Sequence, residues 1–210
     1  MARDWVEWHR SYADPASELS QRLVVVTAAI EDALSAAPTG PIAVLSLCAG
    51  EARDLVGAAT GHPRAGDVRG CAVELNPGLA AIAAQQLRGA GTHVEVRCAD
   101  AGRPIHWDDV LPVDLLLVAG IFGNLSDADV ERTVLATASM LRPGGIAVWT
   151  RHRRDPDLTP NIRDWFDAAG CSPVGFTSGG PGSFAVGVER MGPAPVAVPL
   201  PEQLFRFVGA

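Results

Sequence analysis

A doubly wound α/β fold, with a mostly parallel seven-stranded sheet and helices on both faces, is what this 210-residue sequence predicts. Three observations carry the expectation. From Pro41 onward, short β-branched apolar runs alternate with amphipathic runs of helical period. The run VDLLLVAG at 113–120 is apolar almost throughout, as a strand buried on both faces must be. Two further strand-like runs near the end flank the glycine-rich GGPG and read as an antiparallel closing pair.

The elements follow in order. IAVLSL at 42–47 is short and bounded by turn residues, so it reads as the first buried strand, and EARDLVGAAT at 51–60 carries helical periodicity. The second strand is VRGCAVEL at 68–75. The helix at 76–91 opens with Asn76 as cap and Pro77 at the first helical position, and it stops near Gly91. HVEVRCA at 93–99 is the third strand, and 113–120 is the fourth and central one. A single helix is expected over 125–141, with Ser126 three residues before Asp129 in a capping arrangement. RPGG then turns into the fifth strand, IAVWTR at 146–151, and TPNIRDWFDAAG at 159–170 is a further capped helix. The closing pair is CSPVGFTS at 171–178 and SFAVGVER at 183–190.

One domain is expected, with residues 41–190 as its α/β core. Residues 1–40 read as one or two amphipathic helices, with Pro15 as a break, that cap the ligand edge of the sheet. Residues 191–210 form a Pro-rich extended tail that packs along the body or on a partner subunit, which leaves a homodimer open. No apolar stretch approaches the roughly 18 residues of a membrane span, so no membrane partner is expected. The start, MARDWVEWHR, lacks the pattern of a secretory signal, and a cytoplasmic location is expected. A net charge of −7 lacks the broad positive field that nucleic-acid binding uses. The cysteines, Cys48, Cys71, Cys98 and Cys171, are widely separated without metal-ligand spacing. They read as small buried thiols in or beside strands, a disulfide or zinc site being the alternative.

Ligands of open α/β sheets sit outside the carboxyl ends of the strands, where strand order reverses. That rule selects five loops. They are CAGEARD after the first strand, Glu74, Leu75 and Asn76 after the second, Asp100 and Ala101 after the third, GIFGNLSD after the fourth and RHRRDPD after the fifth. Glu74, 24 residues beyond Gly50, can accept hydrogen bonds from both hydroxyls of a ribose; otherwise it is a solvated strand-end charge. Asp100 can accept from the exocyclic amine of an adenine, or can serve only as a turn former beside Gly102.

The stretches VLSLCAGEARDL, AVELNPGLAAIA, RCADAG, DLLLVAGIFGNLSD and LRPGGIAVWTR, in that order, resemble the class I S-adenosylmethionine (SAM) dependent methyltransferases over residues 41–151. The tail PEQLFRF looks like that of small actinobacterial members. The resemblance implies that the first loop, with Ala49 and Gly50, wraps the methionine part of SAM, that Glu74 binds ribose, and that Asp100 binds adenine. Ser46 replaces the usual first acid of the loop, whose contact to the SAM amino group then falls to Glu51 or Asp54. Cys48 and Ala52 replace two of the usual glycines, and Gly50 is retained.

A nicotinamide dinucleotide is the main competing ligand, but its loop needs several glycines to bring a helix N-terminus onto a pyrophosphate. A helix opening with Glu51 repels a pyrophosphate and suits a sulfonium and an ammonium.

On the acceptor side, Gly120 and Ile121 are expected beside the donor's methionine part, with Phe122 bounding a cavity and Asn124 offering both donors and acceptors, or else only a turn. His152 is a candidate base, the alternative being a polar loop residue between Arg151 and Arg153. Tyr12 on the N-terminal cap is a candidate substrate contact, although helix packing is the ordinary role of Trp5, Trp8 and Tyr12. Arg151 and Arg153 suit an anionic acceptor, unless they pair locally with Asp155, Asp157 and Asp164. The expected activity is SAM-dependent methyl transfer to a small molecule, with no metal. The alternatives are a SAM-binding protein or SAM-using enzyme that transfers no methyl and, further off, a nicotinamide-dependent oxidoreductase.

Overall fold

The computed structural model describes residues 14–179 and 182–208. Seven strands form one sheet: β1 (Ile42–Leu47), β2 (Val68–Glu74), β3 (His93–Cys98), β4 (Val113–Val118), β5 (Leu141–His152), β6 (Cys171–Ser178) and β7 (Phe184–Met191). Their spatial order is β3-β2-β1-β4-β5-β7-β6, with β7 antiparallel between β5 and β6 and the other pairings parallel. The expected doubly wound sheet is present. The most apolar run supplies β4, the middle strand of the seven.

Among the described residues the α-helices are α1 (Glu18–Ala36), α2 (Arg53–Ala59), α3 (Pro77–Gly89), α4 (Asp127–Leu135), α5 (Thr137–Met140) and α6 (Thr159–Ala168). Because side chains alternate across a strand, each central strand feeds two cores. Ile42 and Val44 of β1, and Leu115 and Leu117 of β4, join Val26, Ile30, Leu55, Ala83 and Leu87 under α1, α2 and α3. Leu45 and Leu47, with Leu116 and Val118, join Trp149, Val130, Val134, Ile162 and Phe166 under α4 and α6.

In α1, Ser17 caps the first turn by accepting from Ser20 N–H at 3.1 Å. Val26, Ile30 and Leu34 then recur every fourth residue as a buried stripe. That stripe lays most of α1 on a face of the sheet. Its first half, with Arg22, Leu23 and Val26, reaches the ligand edge. Asn76 caps α3 as its sequence requires, accepting from Gly78 and Leu79 N–H at 2.9 and 3.1 Å.

Three local expectations are corrected. The helix over 125–141 breaks at Ala136 into α4 and α5, where the Thr137 hydroxyl donates to Val134 O at 2.6 Å and competes with the helical ladder. RPGG lies inside β5, whose pairing with β4 shifts register between Val113 and Leu115, so it is an irregularity in a strand instead of a turn before one. Cys98 is exposed on a strand near the sheet edge, while Cys71 and Cys171 are buried; all four thiols are free.

Candidate functional site

A cavity of about 670 Å³ opens at the carboxyl ends of β1, β2, β3 and β4. It lies where the chain order reverses between β1 and β4, the place at which an α/β sheet leaves a crevice. Its size suits a small ligand or cofactor.

The loop after β1 forms the floor. Cys48, Gly50 and Ala52 take left-handed φ values of 51°, 57° and 55°, and Ala49 and Glu51 between them do not have positive φ. Cys48 and Ala52 are the non-glycine residues of positive φ among the described residues, and they stand where the sequence lacks glycine. The glycine path of the backbone is therefore kept by residues that adopt it at a cost of about 1–2 kcal/mol each. Anchoring holds it there. Ala49 N–H donates to Val73 O at 2.9 Å, and Ala52 N–H to Ala49 O at 2.8 Å.

Glu74, at the end of β2, fixes the loop from the side. Its Oε2 accepts from Gly50 N–H and its Oε1 from Asn76 N–H, each at 2.8 Å. Each carboxylate oxygen retains a second acceptor site. Asp100 Oδ1 accepts from Gly102 N–H at 2.8 Å, so this residue shapes its turn while also lining the cavity. Burial, reinforced by the negative charges of Glu74 and Asp100, pushes the Cys48 thiol far above its ordinary range and keeps it protonated.

The opposite end of the cavity is polar. Arg22 from α1 meets Glu51, Arg53 and Asp54 from the start of α2, and Glu51 is ion-paired with Arg53. Burial raises the Asp54 carboxyl above the usual range, an effect opposed by the Arg22 charge.

Of the residues expected at a cofactor, Ala49, Gly50, Glu51, Asp54, Glu74, Leu75, Asp100, Ala101 and Gly120 all line this one cavity. Ile121 does not. It and Phe122 are fully buried in the core beneath, Phe122 with its ring 6.4 Å from that of Trp149. Both belong to the tight turn after β4. Gly120 N–H donates to Thr150 Oγ1 at 2.7 Å, which directs the chain downward there. Asn124 also lies off the cavity lining: its Nδ2 closes the turn on Gly120 O at 2.9 Å.

Arg151 and His152 are likewise absent from the lining, because β5 continues as a strand through His152, paired in register with Ala185 and Phe184 of β7. Arg151 is buried and donates from Nη1 to Phe122 O. Burial lowers the pKa of its guanidinium against the opposing charges of Asp127 and Asp157. The His152 ring lies against Gly123, and burial with the Arg151 and Arg154 charges lowers its pKa, so it is neutral at pH 7. Arg153 pairs with Asp157 at 2.9 Å and with Ser178 Oγ at 2.7 Å, the local arrangement. Tyr12, with Trp5 and Trp8, lies outside the described residues.

Sequence reasoning missed one wall. Gln203, Phe205, Arg206 and Phe207 of the tail also line the cavity. The available signal was the pair Leu204 and Phe205, large apolar residues closing an otherwise Pro-rich extended segment; both are buried in the core.

No family model and no curated protein matches the chain. Solved structures do. A CurJ carbon methyltransferase superposes with a TM-score of 0.66 at 13% identity over 87% of this chain and 57% of that one. A 1,6-didemethyltoxoflavin-N1-methyltransferase from Burkholderia thailandensis, with bound S-adenosylhomocysteine, gives 0.60 at 18% identity over 89% and 86%. An O-methyltransferase family protein from the same organism gives 0.60 at 15% identity over 87% and 62%. The chain thus spans about six tenths of the length of two of these three. It has the methyltransferase Rossmann-like fold. These three neighbours are described as carbon, nitrogen and oxygen methyltransferases, so the fold leaves the acceptor open.

Proposed function

We propose that this protein is a SAM-dependent methyltransferase that transfers the methyl group to a small-molecule acceptor by in-line displacement. It is grouped with the small actinobacterial members that the tail resembles. The observation that carries the reading is the convergence of the left-handed first loop, Glu74 and Asp100 on one cavity. The cavity fits the donor. The left-handed loop exposes backbone at Ala49 and Gly50, where a ligand chain can approach closely. Glu74 receives the ribose hydroxyls on the acceptor sites left by Gly50 and Asn76. Asp100 receives the adenine amine. The carboxylates of Glu51 and Asp54 face the donor's positive end, and Arg22 its carboxylate. SAM supplies a methyl group already activated by positive sulfur.

The chain's own task is then to hold the acceptor in line and exclude water. The acidic protein surface and the cavity's size favour a small acceptor over nucleic acid. Calorimetry with SAM, S-adenosylhomocysteine and NAD tests the donor: binding of the first two below millimolar concentration, without NAD, is expected. Absence of SAM binding refutes the reading. A methylated product distinguishes a transferase from a protein that binds SAM without transfer.

A further inference from the structure

The tail wall of the cavity is built, not draped. Leu204 N–H donates to Gly102 O at 2.7 Å, and Arg132 Nη1 donates to Leu204 O at 3.0 Å. Arg206 N–H donates to Asp129 Oδ2 at 3.0 Å, Val208 N–H donates to Asn124 O at 2.8 Å, and Phe207 bridges Leu125. These bonds tie the tail to the loops after β3 and β4 and to α4, across the mouth of the site. Leu204 and Phe205 sink into the same core cluster as Ala101 and Trp107. Gly102 is the seat: a β-carbon there would collide with Phe205 O and Gln203 Nε2.

Gln203 is held in a defined orientation. Its Nε2 donates to Phe205 O at 2.7 Å and lies 3.5 Å from Asp100 Oδ2. The nitrogen end of the amide is thereby engaged on protein acceptors. The carbonyl oxygen Oε1 is the remaining acceptor of this side chain, in a residue that lines the cavity together with Asp100.

We propose that residues 202–207 complete the adenine end of the donor cavity, and that Gln203 Oε1 with Asp100 Oδ2 forms an acceptor pair selecting a nucleoside with an exocyclic amine. The inference rests on the donor reading above. An amine offers two N–H donors to two acceptors. A keto oxygen at the same ring position offers none and meets a carboxylate with like polarity; the keto ring carries a single N–H, on the adjacent N1, so it can satisfy at most one of the two acceptors.

The test compares S-adenosylhomocysteine with S-inosylhomocysteine, which differ by amine against keto at the exocyclic position and by acceptor against N–H at N1, by calorimetry on the full chain and on the Gln203→Leu variant. The wild type is expected to prefer the adenosyl compound by about 100-fold. Gln203→Leu reduces that ratio about tenfold, with the melting temperature of the unliganded chain within about 2 °C of wild type. A ratio unchanged by Gln203→Leu, or a wild type without preference, overturns the acceptor pair while leaving the donor reading intact. A wild type that binds neither compound refutes the donor reading, and this inference with it. Loss of affinity for both compounds by an equal factor assigns Gln203 to wall packing alone and overturns selection.

Discussion

Replacing Glu74 by glutamine changes one carboxylate oxygen into an NH₂ group and removes the charge, with almost no change in shape. In the native protein both oxygens accept from backbone, Gly50 N–H and Asn76 N–H, each at 2.8 Å, and the residue is 9% exposed. Glutamine can serve one of these donors. The other faces an NH₂ and is orphaned, at a cost of about 1–3 kcal/mol, less where cavity water reaches it. For a domain of this size that is a fall in melting temperature of about 2–12 °C. On the ligand side at least one charge-assisted bond to a ribose hydroxyl is lost, worth about 1.5–3 kcal/mol. Affinity for S-adenosylhomocysteine then falls by about 10- to 100-fold. Scanning calorimetry of the free protein and titration with the ligand measure the two effects separately. Glu74→Ala, which abandons both N–H groups, is expected to exceed glutamine in each. A variant that melts a few degrees lower yet binds with unchanged affinity would show that Glu74 only braces the first loop, and the ribose assignment would fail.

Two more expectations concern the body of the protein. Gly187 on β7 faces the Trp149 ring, and a β-carbon there would enter it. Trp149 is fully buried and stacked on Phe166 at 5.9 Å, so it has no space to yield. Gly187→Ala is expected to destabilise by about 1–3 kcal/mol in denaturant unfolding, and a neutral effect would mean the ring can repack. Glu189 is 3% exposed and accepts from Trp149 Nε1 at 3.3 Å. Burial raises its pKa, against that bond and the Arg163 charge. A carboxyl whose folded pKa is raised stabilises below its unfolded value and loses that contribution as pH rises through the folded value. Glu189→Gln should therefore match wild-type stability below about pH 4.5 and exceed it increasingly toward pH 7. Equal melting temperatures across that range would count against a buried ionised Glu189.

Much of the fold was legible because its cause is local. β1 spans the residues that a short, turn-bounded apolar run marks out, and Asn76–Pro77 starts α3 because a capping side chain and a fixed φ need no distant partner. Glu74 and Asp100 could be singled out because a strand's carboxyl end brings the following residue to the ligand edge whatever the neighbouring strands are. Ile121 and Phe122 show where such reasoning stops. Counting along the chain places them after β4, yet the hydrogen bond from Gly120 N–H to Thr150, on another strand, sends them into the core. The sequence ends the fifth strand at Arg151 and puts His152 in the loop beyond, and pairing with β7 keeps both in the sheet.

By itself, then, the sequence determined the alternation of strands and helices, the middle strand, and which carboxylates sit at strand ends. Periodicity, capping and turn chemistry act within a few residues and are written in order along the chain. The tertiary structure alone decided that Cys48 and Ala52 would hold a glycine's conformation, and that a tail more than 100 residues beyond Asp100 would wall the same cavity. Both depend on contacts between segments remote in sequence. Anchors from β2 hold the loop in its left-handed path, and burial of Leu204 and Phe205 draws Gln203 to Asp100.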